Sequence, residues 1–189
     1  LKKDGLLFIQ VPDAENSPID FLITDHVTHF TKNTLQSLAE KSGYELVFMS
    51  NNVVKKEISM IIKLNSKSNS TPHINNNVVE CRNMIIKNFS WLNKLIKTSS
   101  MIKNTEENYG IYGTSNATVW LLESEDLNPS FFVDDDVNRQ GKLFLNKPVI
   151  SKSEIPINAK VILPFVNEIV ENIITTTPDK INNFVYIEN

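Results

Sequence analysis

Apolar and polar positions alternate in blocks from the start of the chain. Leu6-Leu7-Phe8-Ile9-Gln10-Val11 lies between Gly5 and Pro12-Asp13, a length and a pair of breakers that predict a buried strand. It leads to a polar stretch, Ile23-Thr24-Asp25-His26-Val27-Thr28-His29-Phe30-Thr31, that holds two of the chain's three histidines. Thr31 suits the N-cap of a helix over 32–41, with Leu35 and Leu38 on the inner face and Gly43 as the stop. Residues 44–49 read as a strand and Asn51-Asn52 as a turn. Residues 57–64 alternate and then run apolar, so a further antiparallel strand follows.

The pattern changes after Leu64. Residues 65–74 are polar, contain Pro72 and read as a linker in which His73 is solvated. From about 76 to 103, Val78, Met84, Ile85, Phe89, Leu92, Leu95, Ile96 and Ile102 recur at helical intervals and predict a long connecting helix. A second unit opens at Asn108, with a strand over 109–113 entering a tight turn and a helix over 116–123. A strand over 129–133 ends in three acids, and a β-rich excursion runs through Gly141 and 148–150. A strand over 160–166, a helix over 167–177 and a last strand over 184–187 complete it. This order predicts an α/β fold: strands with a helix over 1–64, linker and long helix over 65–107, and a small, mostly parallel Rossmann-like sheet over 108–189.

Composition narrows the function classes. With 41% hydrophobic and 22% charged residues in 189, the chain is globular and long enough for two small domains. A net charge of −3, with its 19 basic residues scattered among 22 acids, gives no nucleic-acid surface. No run approaches the ~18 apolar residues of a membrane span, and no signal-peptide pattern opens the chain. A lone Cys81, expected as a small buried side chain, permits no internal disulfide, so the expected setting is the reducing cytoplasm. Leu1-Lys2-Lys3-Asp4-Gly5 runs straight into a core strand without an initiator methionine, so the chain is expected to be a fragment of a longer protein. A sheet cut in this way exposes an edge and an apolar face, which invites a homodimer.

A strand that ends in Pro-Asp and delivers a histidine-bearing loop has the form of an α/β active site, where ligands sit at strand carboxyl ends. His26, with Asp25 directly before it, is the first candidate for acid–base work or substrate contact, and His29 the second. Asp13 and Asn16 either line a substrate pocket or cap the turn at Pro12. Gly110-Ile111-Tyr112-Gly113-Thr114-Ser115-Asn116-Ala117 lacks the three-glycine dinucleotide spacing. A turn of small residues at a helix N-terminus still offers backbone N–H groups to a phosphate, which makes Gly113 and Ser115 candidates. Asp134 stands where an acid reads a ribose. Adjacent acids on a strand cannot all point one way, so Asp134, Asp135 and Asp136 are expected as solvated loop acids rather than a metal site.

Leu-Lys-Lys-Asp-Gly-Leu-Leu-Phe-Ile-Gln-Val-Pro-Asp at the start resembles the fifth strand, with its lead-in, of a class I S-adenosylmethionine-dependent methyltransferase. Asp25–Thr31 and Ser42-Gly43-Tyr44-Glu45-Leu46 resemble the loop, helix and sixth strand that follow, and Glu57–Leu64 the reversed seventh strand. The second part is similar to the C-terminal domain of sugar C-methyltransferases, on Tyr112-Gly113-Thr114-Ser115, Phe132-Val133-Asp134-Asp135-Asp136, Asn138-Arg139-Gln140-Gly141 and Val161-Ile162-Leu163-Pro164-Phe165. The resemblance implies a parent enzyme whose N-terminal, often zinc-binding domain and donor-binding glycine-rich turn are not in this chain. The chain itself would carry the substrate side, for a sugar or nucleotide-sugar, and would not turn over alone. By resemblance His26 is the base for C-methyl transfer, and Asp25 holds the place usually taken by glutamate. Ile23 stands where a tyrosine is usual, which leaves transfer to oxygen or nitrogen open. The competing class is a module that binds a nucleotide or phosphosugar, or docks subunits, without catalysis.

Overall fold

The computed structural model describes residues 1–2, 4–65, 78–105 and 108–188. The linker expected after Asn65 and the solvated His73 lie outside them. The chain forms two compact units, Leu1–Phe89 and Ser90–Asn189. None of the described helices is long and apolar enough to cross a membrane.

The first unit comprises β1 (Leu6–Pro12), α1 (Lys32–Lys41), β2 (Tyr44–Ser50), β3 (Glu57–Leu64) and the beginning of α2 (Val78–Thr105). α1 starts where the sequence places it. Thr31 Oγ1 accepts the Thr34 backbone N–H at 3.2 Å and Thr34 Oγ1 accepts that of Thr31 at 2.8 Å, so each threonine satisfies a helix-end donor of the other. Thr31→Ala is expected to destabilise this unit by about 1 kcal/mol. An unchanged urea midpoint would contradict that.

The sheet order is β1–β3–β2, and β3 is antiparallel to both neighbours. The tight connection from β2 returns the chain as β3, whereas the longer path through α1 lets β2 run parallel to β1. Ile58, Met60 and Ile62 of β3 pack with Leu35 and Ala39 of α1, and Leu7, Ile9 and Val11 of β1 join them. Leu38 differs from expectation: it is 51% exposed, and Ala39, one turn beyond Leu35, takes the inner position. On the other face Phe8, Ile61 and Phe48 form a row in register across the three strands, with both phenylalanines exposed.

The second unit comprises the rest of α2 and β4 (Tyr109–Tyr112), α3 (Asn116–Glu125), β5 (Phe131–Val133), β6 (Leu143–Phe144), β7 (Lys147–Ile150), β8 (Lys160–Ile162), α4 (Asn167–Thr176) and β9 (Phe184–Val185). Its order is β6–β7–β5–β4–β8–β9, parallel throughout except for the β6–β7 hairpin. The α/β class with a mostly parallel sheet is therefore what the chain has. The hairpin turns on Leu145 and Asn146, both at positive φ (48° and 63°), the backbone that a two-residue loop requires.

Several strands are shorter than the apolar runs that encode them. The run over 160–166 yields a strand only to Ile162: Leu163 still donates to Val185 O, but Pro164 has no N–H and ends the ladder. Tyr112, Phe131, Val133, Val161 and Leu163 line one face with Val170 and Ile173 of α4. The alternate residues Ile111, Phe132 and Ile162 are buried on the other. Gly110 lies under the Phe131 ring, where a Cβ would stand 2.4 Å from Phe131 Cε2. The end of α2 is tied to α3 by Ser100 with the Glu125 carboxylate and by Lys103 Nζ to Glu125 O at 2.9 Å.

Candidate functional site

The carboxyl end of β1 is tied to the histidine loop by backbone. Asp13 and Phe30 form a parallel bridge, and Ala14 N donates to Phe30 O at 2.9 Å. Asp13 is fully buried. Its Oδ1 accepts the Glu15 N–H, and its Oδ2 accepts Asn16 Nδ2 at 2.8 Å and Asn51 Nδ2 at 3.2 Å. Of the two roles weighed for Asp13, the geometry is that of the cap on the turn after Pro12. Asn16 is exposed and contributes its amide to that cap. Asn88 Nδ2 of α2 donates to Ala14 O at 2.7 Å, which fixes the same corner from another element.

Beyond this turn a short 3-10 helix, Pro18–Leu22, presents Asp20, which is 2% exposed. Its Oδ1 bonds His26 Nδ1 and its Oδ2 bonds His29 Nδ1, each at 2.6 Å. A carboxylate oxygen accepts, so each ring carries a proton on Nδ1, and the lone pair of the neutral form of either ring is the one on Nε2. The turn Ile23–His26, closed by His26 N to Ile23 O at 3.0 Å, returns His26 to the acid. His29 is further held by Phe21, whose ring centroid is 4.4 Å away, and Phe21 in turn meets Phe89 at 5.9 Å.

The neighbouring carboxylates act on His26. Its pKa is raised above the ordinary 6.5, first by the Asp20 hydrogen bond, against a lowering by burial, and then by the charges of Asp20, Asp25 and Glu57. Asp25 is exposed and acts through its charge, whereas the hydrogen bond expected of an acid beside His26 comes from Asp20, six residues upstream. Glu57 opens β3 opposite Pro12. Burial first, and then Asp20, push its pKa up, while His26 pulls it down. Asp20 and Glu57 are the members of this group that the sequence reading passed over. A trace of Asp20 was present: an acid inside the apolar run Ile19–Ile23 must find a partner if it is buried.

In the second unit, the turn after β4 brings Gly113, Thr114 and Asp134 together. Gly113 has φ +87°, and its N–H donates to Val133 O at 2.6 Å. Asp134 is 8% exposed, not the solvated loop acid expected. Its Oδ2 accepts Thr114 N at 3.0 Å, Thr114 Oγ1 at 2.7 Å and Arg139 Nη1 at 3.1 Å, and its Oδ1 accepts Asp136 N at 3.0 Å. Burial works to raise the Asp134 pKa, but these hydrogen bonds outweigh it and the net shift is downward. Asp135 and Asp136 are exposed; Asp135 lies 3.6 Å from Lys152 Nζ, and Asp136 accepts from Asn138. Ser115, exposed, caps α3 without a side-chain hydrogen bond. Cys81 is half-buried rather than buried. Compared with known proteins, the chain matches no family model and no curated protein.

Proposed function

We propose that the first unit is the substrate side of an S-adenosylmethionine-dependent methyltransferase acting on a sugar or nucleotide-sugar, with His26 as the base. The observation that carries this reading is the buried Asp20 carboxylate holding both imidazoles by Nδ1 at 2.6 Å. It directs two Nε2 lone pairs away from the anchor, at the carboxyl end of a strand where α/β sites form. The reversed β3 beside β1 and β2 supports the resemblance to strands five, six and seven of that fold. As methyl moves from donor sulfur to acceptor, His26 Nε2 takes the acceptor's proton, and Asp20 steadies the imidazolium through Nδ1. Asp25 and Glu57 add negative charge nearby. The reading places the donor's own binding turn outside these 189 residues, so its test is substrate binding. A cytoplasmic setting fits the single half-buried Cys81.

A second reading makes the chain a nucleotide- or phosphosugar-binding module. Gly113-Thr114-Ser115 at the carboxyl end of β4, opening α3, favours it. Against it, Oδ2 of Asp134 already holds three donors that a ribose would have to displace. Calorimetric titration with thymidine diphosphate glucose separates the two. His26→Ala is expected to weaken binding about tenfold, the scale of one lost hydrogen bond to a polar ligand. Unchanged affinity in a folded variant contradicts the role given to His26.

A further inference from the structure

We infer that the second unit binds a free aliphatic α-amino acid of about leucine's size, in a cleft between the end of α3 and the β6–β7 hairpin. The cleft has a volume of about 260 Å³. At ~30 Å³ for each water, that is room for about nine non-hydrogen atoms. All of its lining belongs to the second unit, so it stands apart from the histidine loop and from the methyltransferase reading. Phe132, Leu122 and Leu127 line it and are each buried, which makes its depth apolar.

The hairpin supplies a positive wall. Phe144 and Lys147 stand opposite one another in the β6–β7 register, so their side chains leave the same face. The Phe144 ring meets the Phe132 ring edge to face at 5.0 Å, which fixes that face as the one with the cleft. Lys147 is half-buried there, and its ammonium has no ion pair or hydrogen bond among the described residues. A partly desolvated cation beside apolar side chains calls for an anion. Leu145, at the hairpin's turn, borders the same cleft, 56% exposed and at φ 48°. The turn requires positive φ but not a leucine, for which that backbone is strained. A ligand in the cleft gives this side chain the contact it lacks.

The facing wall has the opposite sign. α3 ends there, with the N–H groups of Asp126 and Leu127 both going to Leu122 O. The carbonyl end of a helix carries partial negative charge, and Glu123 and Asp126 add two acids to the lining. Lys103 lies 3.8 Å from the Asp126 carboxylate, whereas Glu123 has no such partner among the described residues. A simple carboxylate would meet the negative end of α3, and a simple amine would meet Lys147. An α-amino acid answers both walls: its carboxylate goes to Lys147, its ammonium to the end of α3 and its aliphatic side chain to Phe132.

The test is calorimetric titration of the intact chain with leucine and, separately, with isocaproate and isoamylamine, which keep the aliphatic body and one charge each. Leucine is expected to bind at least tenfold tighter than either. Lys147→Met keeps the stem and loses the charge, and is expected to weaken leucine binding at least tenfold. Leu145→Gly is expected to weaken it about threefold with the turn intact, since glycine takes positive φ freely. Absence of leucine binding, equal affinity for the carboxylate or the amine, or full leucine affinity in Lys147→Met overturns the inference. None of these results bears on sugar-nucleotide binding at His26.

Discussion

Asp20→Asn is expected to return the His26 pKa toward the ordinary 6.5 and to weaken sugar-nucleotide binding by at least tenfold. An asparagine oxygen can accept one Nδ1–H, but its amide donates and so faces the other Nδ1–H donor to donor. One imidazole must then move its proton to Nε2, which removes an outward acceptor, or leave its anchor. Because the carboxylate is buried and each contact is 2.6 Å, neighbouring groups cannot make good the loss.

The same variant has a pH signature. His26 has a folded pKa above its unfolded value, so its contribution to stability is fully present below about 6.5 and is lost as pH rises through the folded pKa. Asp134 and Glu154, displaced downward, titrate below that window, whereas Glu57, displaced upward chiefly by burial, adds a fall in the same direction as pH rises. Wild-type stability is therefore expected to fall as pH rises from about 6.5 through the folded His26 pKa, and the slope to flatten in Asp20→Asn. Urea denaturation across that range measures it. A variant as steep as the wild type contradicts the Asp20–His26 coupling.

Gly110→Ala is expected to destabilise the second unit by about 3 kcal/mol. The added Cβ would fall 2.4 Å from the Phe131 ring, which is itself 5% exposed and packed in the core on the α4 side of the sheet. The ring has no open space to enter, and β4 is paired on both sides by β5 and β8 and cannot retreat. Both tryptophans, Trp91 and Trp120, lie in this unit, so indole fluorescence in urea reports it alone. An unchanged midpoint would show that the Phe131 ring does not lie across Gly110.

Features encoded locally were legible in the sequence. The Thr31 cap, the ends of α1, the bounds of β3 and the long helix all follow from period and punctuation. So did the alternation of strands and helices that gives the second sheet. Leu38 was misplaced because α1 buries only a narrow stripe against three strands. Leu35 and Ala39, four residues apart, fill it, and a large residue one position aside meets water. Asp20 was illegible for a different reason. Its partners lie six and nine residues ahead, along an irregular path through Pro18–Leu22 and the turn at Ile23, and no period joins them. Asp134 looked like a loop acid because the donors that bury it come from Thr114, twenty residues earlier and on a neighbouring strand end. Candidate histidines could thus be named from residue type and place, whereas the acid that organises them required the fold.

The central claim is that a sugar sits against His26, and the most direct test is proton NMR of the chain saturated with thymidine diphosphate glucose. The account predicts nuclear Overhauser contacts between the His26 ring protons and the hexose ring, and their loss in Asp20→Asn. Contacts from the hexose only to residues around Gly113 and Ser115, with the His26 ring unaffected, would contradict it and make the chain a binding module.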